Sequence, residues 1–228
     1  MTRLSQHELT VLQKFRRLRS GRSVRGRVLA ALRSPIGNFA VNTPVFLLPQ
    51  KVHLRPKHRV LEIGCADGAN LRFLASRIGF RRPPVGLDLT PGPVAAGAAF
   101  AIVRGSGSRL PFAEESFDLV LCGHLLRHLS GEGLLRLLVE AHRVLTPGGV
   151  LAIWDFAPPS GRSTVRRWML DLLGGSGTPR DFATLAHWAS EARYDVIENP
   201  DLRPFLFPPL RRVSLLARKP SRDSQPPA

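Results

Sequence analysis

Residues 60–70 read VLEIGCADGAN. Apolar residues flank Glu62 and run straight into Gly64 and Gly68, four positions apart. The apolar run has the length of a short buried strand. The following GANLRFLASRIG carries Leu71, Leu74 and Ile78 on one helical face, with Gly79 as its stop. A strand that turns sharply into a helix through glycines lets a ligand approach the backbone closely. The helix N-terminus then offers unpaired N–H groups and a partial positive charge. Asp67 reads as the N-cap of that helix. Cys65 and Ala66 read as residues that matter through backbone and size.

Working outward, the same alternation continues. HRVLEIG, PPVGLDL, AFAIVRG, SFDLVLCG and GVLAIWDF read as five strands. Between them, PVAAGAAF reads as a short helix or loop, and GEGLLRLLVEAHRVL as a helix stopped by Pro147, Gly148 and Gly149. Further on, STVRRWMLDLLGG and TPRDFATLAHWASEARY read as helices, the second capped by Thr178 with Pro179 in its first turn. YDVIENP and RRVSLLARKP read as two closing strands. Strands alternating with helices at this pitch predict a parallel sheet covered on both faces.

Upstream, Ser5 and Glu8 have capping-box spacing and open an amphipathic segment with Leu9, Leu12, Phe15 and Leu18 at steps of three. A second amphipathic piece carries Val24, Val28, Leu29 and Leu32. Residues 35–56 read as an irregular connector and lid. The expected organisation is a basic helical extension with its connector over residues 1–55, one domain over 56–220, and a disordered tail over 221–228.

Charge is unevenly spread. The net +16 is concentrated at the ends: residues 1–34 hold nine Lys/Arg and one Glu, and residues 203–228 hold six Lys/Arg and one Asp. Basic ends on a nearly neutral body suit an anionic surface, either membrane lipid or nucleic acid, with lipid the preferred partner of residues 1–34. A plain arginine-heavy terminus is the bland alternative. Cys65 and Cys122 are too few for a disulfide framework or a thiolate metal site, and they read as reduced, buried thiols. No stretch of eighteen apolar residues predicts a membrane span. MTRLSQHELT lacks the apolar core of a secretory signal, an Arg-rich presequence being the rival reading. The expectation is a cytoplasmic protein, with peripheral membrane attachment as its variant.

The central turn is E-x-G-x-x-x-G and departs from the G-x-G-x-x-G of dinucleotide-binding folds. LEIGCADG resembles the first motif of class I S-adenosylmethionine-dependent methyltransferases. Asp88 in VGLDLT lies twenty residues after Gly68, and GSGSRLPF, SFDLVLCGHLLRHL and HRVLTPGGVLAIWDF follow in the order and spacing of that family's later motifs. The resemblance covers residues 55–160 and continues more loosely to Pro220. It implies an α/β fold: a Rossmann-like seven-stranded, mostly parallel sheet with helices on both faces and an antiparallel last strand. It also implies S-adenosylmethionine as cofactor. Glu62, Gly64, Cys65, Ala66 and Gly68 would shape the methionine side of the site, Asp88 would hold the ribose and Leu89 would pack on the adenine. Cys122 and Gly123 would sit beside the methionine group. Many members read G-D-A before the Leu-Pro-Phe, where this chain has Ser106 and Gly107. A hydroxyl there accepts one hydrogen bond but brings no charge.

His124 follows the fourth strand, where the family's substrate pocket opens. It reads either as a general base or as a structural residue of the pocket or a helix cap. Asp155 could face the same pocket. His128 sits four residues after His124, but a two-histidine metal site needs a third ligand and none is spaced to supply it, so no metal is expected; His142 reads as a helix surface or packing residue. Asp118 reads as a structural strand-start residue. CGHLLRHL stands where enzymes that methylate exocyclic base amines often carry Asn-Pro-Pro or Asp-Pro-Pro. Three readings follow: a methyltransferase acting on a small or lipid-like acceptor, the preferred one; an RNA or protein methyltransferase docking by its basic ends; and a degenerate methyltransferase fold serving as a binding module. Sequence gives no oligomeric state.

Overall fold

The computed structural model describes residues 43–94, 97–159, 177–199 and 211–222. The expected N-terminal helices, the helix over STVRRWMLDLLGG and most of the C-terminal tail lie outside the described residues. Helix α1 (Thr43–Lys51) leads into β1 (Val60–Ile63), α2 (Ala69–Ile78), β2 (Val85–Asp88), β3 (Ala101–Arg104) and β4 (Phe117–Gly123). A single 3₁₀ turn (Leu126–His128) follows, then α3 (Gly131–Val144), β5 (Leu145–Phe156), α4 (Phe182–Glu191), β6 (Asp195–Glu198) and β7 (Arg212–Arg218).

The seven strands form one sheet in the order β3-β2-β1-β4-β5-β7-β6. All pairings are parallel except those of β7, which runs antiparallel to both β5 and β6. Both the class and the antiparallel last strand are as expected. Strand order reverses direction between β1 and β4. At such a switch point the connections leave in opposite directions and open a crevice at the strands' carboxyl ends.

Side-chain alternation sorts the core into two layers. Leu61, Ile63, Val120, Cys122, Leu151 and Ile153 pack with Leu134, Leu137 and Leu138 of α3 and Leu185 of α4. Val60, Leu119, Leu121, Ala152 and Trp154 pack with Val45 and Leu48 of α1 and Leu74 of α2. Apolar side chains on alternate positions of a strand bury both faces only if helices cover both.

Several local expectations need correction. Residues 43–51 are helical where an irregular connector was expected; Val45 and Leu48, three apart, bury one face against the sheet and stabilise the turn despite Pro49. Asp67 caps no helix: the N-cap of α2 is Gly68, in the left-handed region, with no side-chain cap. Asp181, not Thr178, caps α4, accepting from the Thr184 N–H at 2.9 Å. Helix α3 ends at Val144, before Pro147, because the chain turns extended at Leu145 to pair with Phe117. The described part of PVAAGAAF is loop. Gly79 does stop α2, at φ 65° with its N–H on Ala75 O. Asp118 is structural as expected, accepting the Arg59 N–H at 2.7 Å and the Thr146 hydroxyl at 3.3 Å. Among the described residues no helix is long and apolar enough to cross a membrane.

Candidate active site

The turn after β1 is built from three left-handed residues: Gly64 (φ 78°), Ala66 (φ 51°) and Gly68 (φ 74°). Gly68 is required twice over, since a Cβ there would come within 2.3 Å of the Phe100 ring. Ala66 has no such freedom, yet both its peptide groups are engaged. Its N–H donates to Asp88 Oδ2 at 2.9 Å, and its carbonyl accepts the Gly92 N–H at 2.9 Å. The N–H groups of Gly64 and Cys65 both donate to Leu87 O, at 2.7 and 3.3 Å. The turn is thus tied to the end of β2, and Asp88 is the knot. The Thr90 N–H occupies its other oxygen at 2.8 Å. A carboxylate oxygen has two lone-pair sites, so each retains acceptor capacity.

Glu62 lies on the α2 side of the sheet and is 2% exposed. The Asn70 amide donates to its Oε1 at 2.6 Å, while Glu62 Oε2 and Asn70 Oδ1 are buried with no hydrogen-bond partner among the described residues. Burial pushes the Glu62 carboxyl up to about 8; the Asn70 bond opposes this, and Asp67 and Asp88 add to it. Cys65 and Cys122 are both free and buried, and burial raises both thiols, with Glu62 adding to it. Free, buried thiols are as expected. Cys122 Sγ reaches Ile63 O at 3.8 Å.

The remaining expected cofactor residues gather at the same carboxyl ends. The Leu89 carbonyl accepts from Arg104 Nε at 3.1 Å. Ser106 follows β3, its hydroxyl 2.8 Å from the Ser108 hydroxyl and accepting the Ser108 N–H at 3.2 Å. Gly107 packs on Ile63 and Leu137, and Gly123 on the Trp154 indole.

On the other face stands a second cluster. His124 has φ 55°, an uncommon conformation for a non-glycine residue, held in part by its N–H on Trp154 O at 2.8 Å. Its Nδ1 is 3.6 Å from Asp155 Oδ1 and 3.4 Å from Arg127 Nη1, and its ring lies 5.0 Å from that of Phe156. Asp155, 3% exposed, forms an ion pair with the Arg127 guanidinium and also accepts the Arg127 N–H at 3.1 Å. Burial opposes ionisation of Asp155, but the Arg127 charge and then His124 outweigh it and hold the carboxyl well below the usual range. Arg127 stacks over Phe156 at 5.4 Å. Arg180 donates to the carbonyls of Leu126 and Leu129.

The structure therefore brings Glu62, the glycine turn, Asp88, Leu89, Ser106, Gly107, Cys122, Gly123 and His124 to one end of the sheet, with Asp155 beside His124. His142 does not join them: it packs edge-on against Tyr194 at 5.1 Å. Sequence reading missed Asn70, Arg127, Phe156 and Arg180. Asn70 in the first turn after Gly68 and Arg127 three residues past His124 were the available signals. Among the described residues no cluster of three His, Cys, Asp or Glu suits a metal ion.

Residues 61–153 match the family model described as methyltransferase domain. Phthiotriol/phenolphthiotriol dimycocerosates methyltransferase 1 of Mycobacterium ulcerans is 35% identical over 127 residues, 51% of this chain and 43% of the relative. The 2-phytyl-1,4-naphtoquinone methyltransferase of Thermosynechococcus vestitus is 29% identical over 158 residues, 65% of this chain and 66% of the relative. The chain thus spans 43% to 66% of the length of these two relatives. Among solved structures, Burkholderia thailandensis 1,6-didemethyltoxoflavin-N1-methyltransferase, with 1,6-didemethyltoxoflavin and S-adenosylhomocysteine bound, shares the fold. It superposes with a TM-score of 0.71 at 20% identity, covering 97% of this chain and 93% of that one.

Proposed function

We propose that the chain is a class I S-adenosylmethionine-dependent methyltransferase, a reading supported by the methyltransferase-domain match over residues 61–153, and that it binds S-adenosylmethionine over the carboxyl ends of β1, β2 and β4. There it moves the methyl group to a small or lipid-like acceptor. The observation that carries this reading is one left-handed turn flanked by two carboxylates, Glu62 beneath it and Asp88 beside it. These residues fit the cofactor. An ammonium needs acceptors, and Glu62 Oε2 and Asn70 Oδ1 are buried acceptors lacking donors. A ribose diol needs a fixed carboxylate with spare lone pairs, and Asp88 is fixed by two backbone N–H groups. Ser106 and Gly107 would border the adenine, with Leu89 against it. Cys122 and Gly123 would close the methionine side, where the absence of a side chain on Gly123 leaves room for the Trp154 ring.

When bound, the sulfonium supplies a methyl carbon already activated towards a nucleophile. What remains for the protein is placement and exclusion of water. His124 is our candidate for the residue that takes a proton from the acceptor. Arg127 and Asp155 fix the wall on which it sits and neutralise each other's charge, so that an apolar acceptor meets no net charge from the pair. Loss of a general base costs about 10²–10⁴ in rate. His124→Ala should therefore reduce turnover at saturating cofactor by at least that lower figure. Unchanged turnover would make His124 a structural residue.

The acceptors named for the two relatives, a dimycocerosate lipid and a phytylated naphthoquinone, support a lipid-like substrate. The test is methyl transfer from labelled S-adenosylmethionine into lipid, quinone, RNA and protein fractions. Label in the lipid or quinone fraction supports the reading, and label only in RNA or protein replaces the acceptor class. Cofactor titration without any binding would favour a degenerate fold. The basic residues 1–34, outside the described residues, would seat the enzyme on an anionic membrane where such acceptors reside. Equal binding of the full chain and a chain lacking residues 1–34 to anionic liposomes, across a salt series, would remove that role.

A further inference from the structure

Glu62 and Asn70 form a pair with too few hydrogens. The Asn70 amide nitrogen satisfies one carboxyl oxygen at 2.6 Å. The other carboxyl oxygen and the Asn70 carbonyl are both buried acceptors without a donor among the described residues. An unmet buried acceptor is costly, and an uncompensated buried charge more so. One added proton on Oε2 removes the charge and gives the pair the donor it lacks. The surroundings favour that proton. Asp67 of the turn and Asp88 at the end of β2 are both acidic, and the Cys65 and Cys122 thiols contribute no positive charge. Among the described residues, no Lys, Arg or His is among the groups that shift Glu62. Burial first, with Asp67 and Asp88 adding to it against the Asn70 bond, moves the carboxyl up to about 8.

We propose that Glu62 carries a proton in the cofactor-free protein and releases it to solvent as the cofactor's ammonium arrives, so that binding S-adenosylmethionine costs the complex one proton. The carboxyl O–H bond breaks and the proton passes to buffer. The ammonium keeps its three hydrogens and supplies the donors that Glu62 and Asn70 lack. The inference rests on the cofactor reading above. It makes affinity depend on pH with a fixed sign. Below about 8 the protein must lose a proton to bind, so affinity rises with pH, close to tenfold per unit.

The experiment is calorimetric titration of the full chain with S-adenosylmethionine at pH 6.5, in buffers of contrasting ionisation enthalpy. At that pH the ligand's own amino group is protonated and does not contribute. The expected result is release of close to one proton for the wild type and close to none for Glu62→Gln. 5′-Methylthioadenosine, which lacks the amino-acid end, should bind with no proton release to either protein. An independent measurement on wild type alone is the infrared carbonyl stretch of a protonated carboxylic acid, expected in the free protein and lost on adding cofactor. Tight binding of S-adenosylmethionine without proton release, or with a flat pH dependence from 6 to 7.5, overturns the proposal and leaves the methyltransferase reading standing. No binding at any pH overturns both.

Discussion

Glu62 and Asp155 are both carboxylates buried to 3% exposure or less, at the same end of one sheet, yet their acidities move in opposite directions. Glu62 faces the α2 side with an amide as its hydrogen-bonding neighbour and rises. Asp155 faces the α3 and α4 side with a guanidinium against it and falls. Burial is common to both, so the partner decides. The contrast divides the site into two halves. The half beneath the glycine turn is short of positive charge and ready for a cation. In the half beside His124 the buried carboxylate is already neutralised by Arg127.

The largest expected effect breaks the neutralised half. Asp155→Ala takes the buried carboxylate away from the Arg127 guanidinium, and should cost about 3–5 kcal/mol of unfolding free energy in denaturant titrations. Arg127→Met combined with Asp155→Leu should lose much less, because both charges leave together. Similar losses in both would mean that the pair contributes by packing alone.

The next test removes the acid from the other half and should act with the opposite sign. A carboxyl raised from the ordinary range to about 8 destabilises the cofactor-free fold by roughly 1.4 kcal/mol per pH unit as pH climbs between those values, and by no more above them. Glu62→Gln should therefore raise the melting temperature at pH 8 by several degrees and leave it nearly unchanged at pH 4.5. Thermal melts at the two pH values check it, and a variant less stable at pH 8 would mean that Glu62 is ionised and paired.

Asp88→Ala is smaller again in stability but direct in binding. Cofactor affinity should fall tenfold or more, about 1.4 kcal/mol, measured by calorimetry with circular dichroism to confirm folding. Part of that loss should come from freeing the Ala66 N–H, so Asp88→Asn, which keeps an acceptor, should fall less. The smallest effect is expected at Ser106→Asp. An aspartate can still accept the Ser108 N–H, and it adds a charged acceptor, so affinity should stay level or tighten severalfold. A marked loss from a folded variant would displace Ser106 from the adenine edge.

Local sequence carried the sheet because each strand is a contiguous apolar run and each glycine marks a turn. It carried Glu62 and Asp88 because both lie at fixed distances from Gly64 and Gly68. It did not carry Arg127 or Arg180. Their partners, Asp155 and the carbonyls of Leu126 and Leu129, are 28 to 54 residues away in the chain, and only the sheet's order makes them neighbours. Asp67 was misjudged for the opposite reason. Its spacing suits an N-cap, but the tertiary bond between Ala66 and Asp88 and the left-handed Gly68 set the helix entry first. Helix α1 was missed because Pro49 argues against a helix locally, whereas burial of Val45 and Leu48 is a long-range gain.

The 3₁₀ turn after His124 is held from a distant part of the chain. Arg180 takes the carbonyls of Leu126 and Leu129, and the Thr178 N–H takes that of Arg127 at 2.8 Å. Gly177 lies so close that a Cβ would come within 2.6 Å of the same Arg127 oxygen. Mechanically this is a hasp: three consecutive-turn carbonyls on one plate, one short strip of backbone and a single guanidinium as the pin. The backbone that follows His124 is thus fixed by residues 177–180, some fifty residues further along the chain.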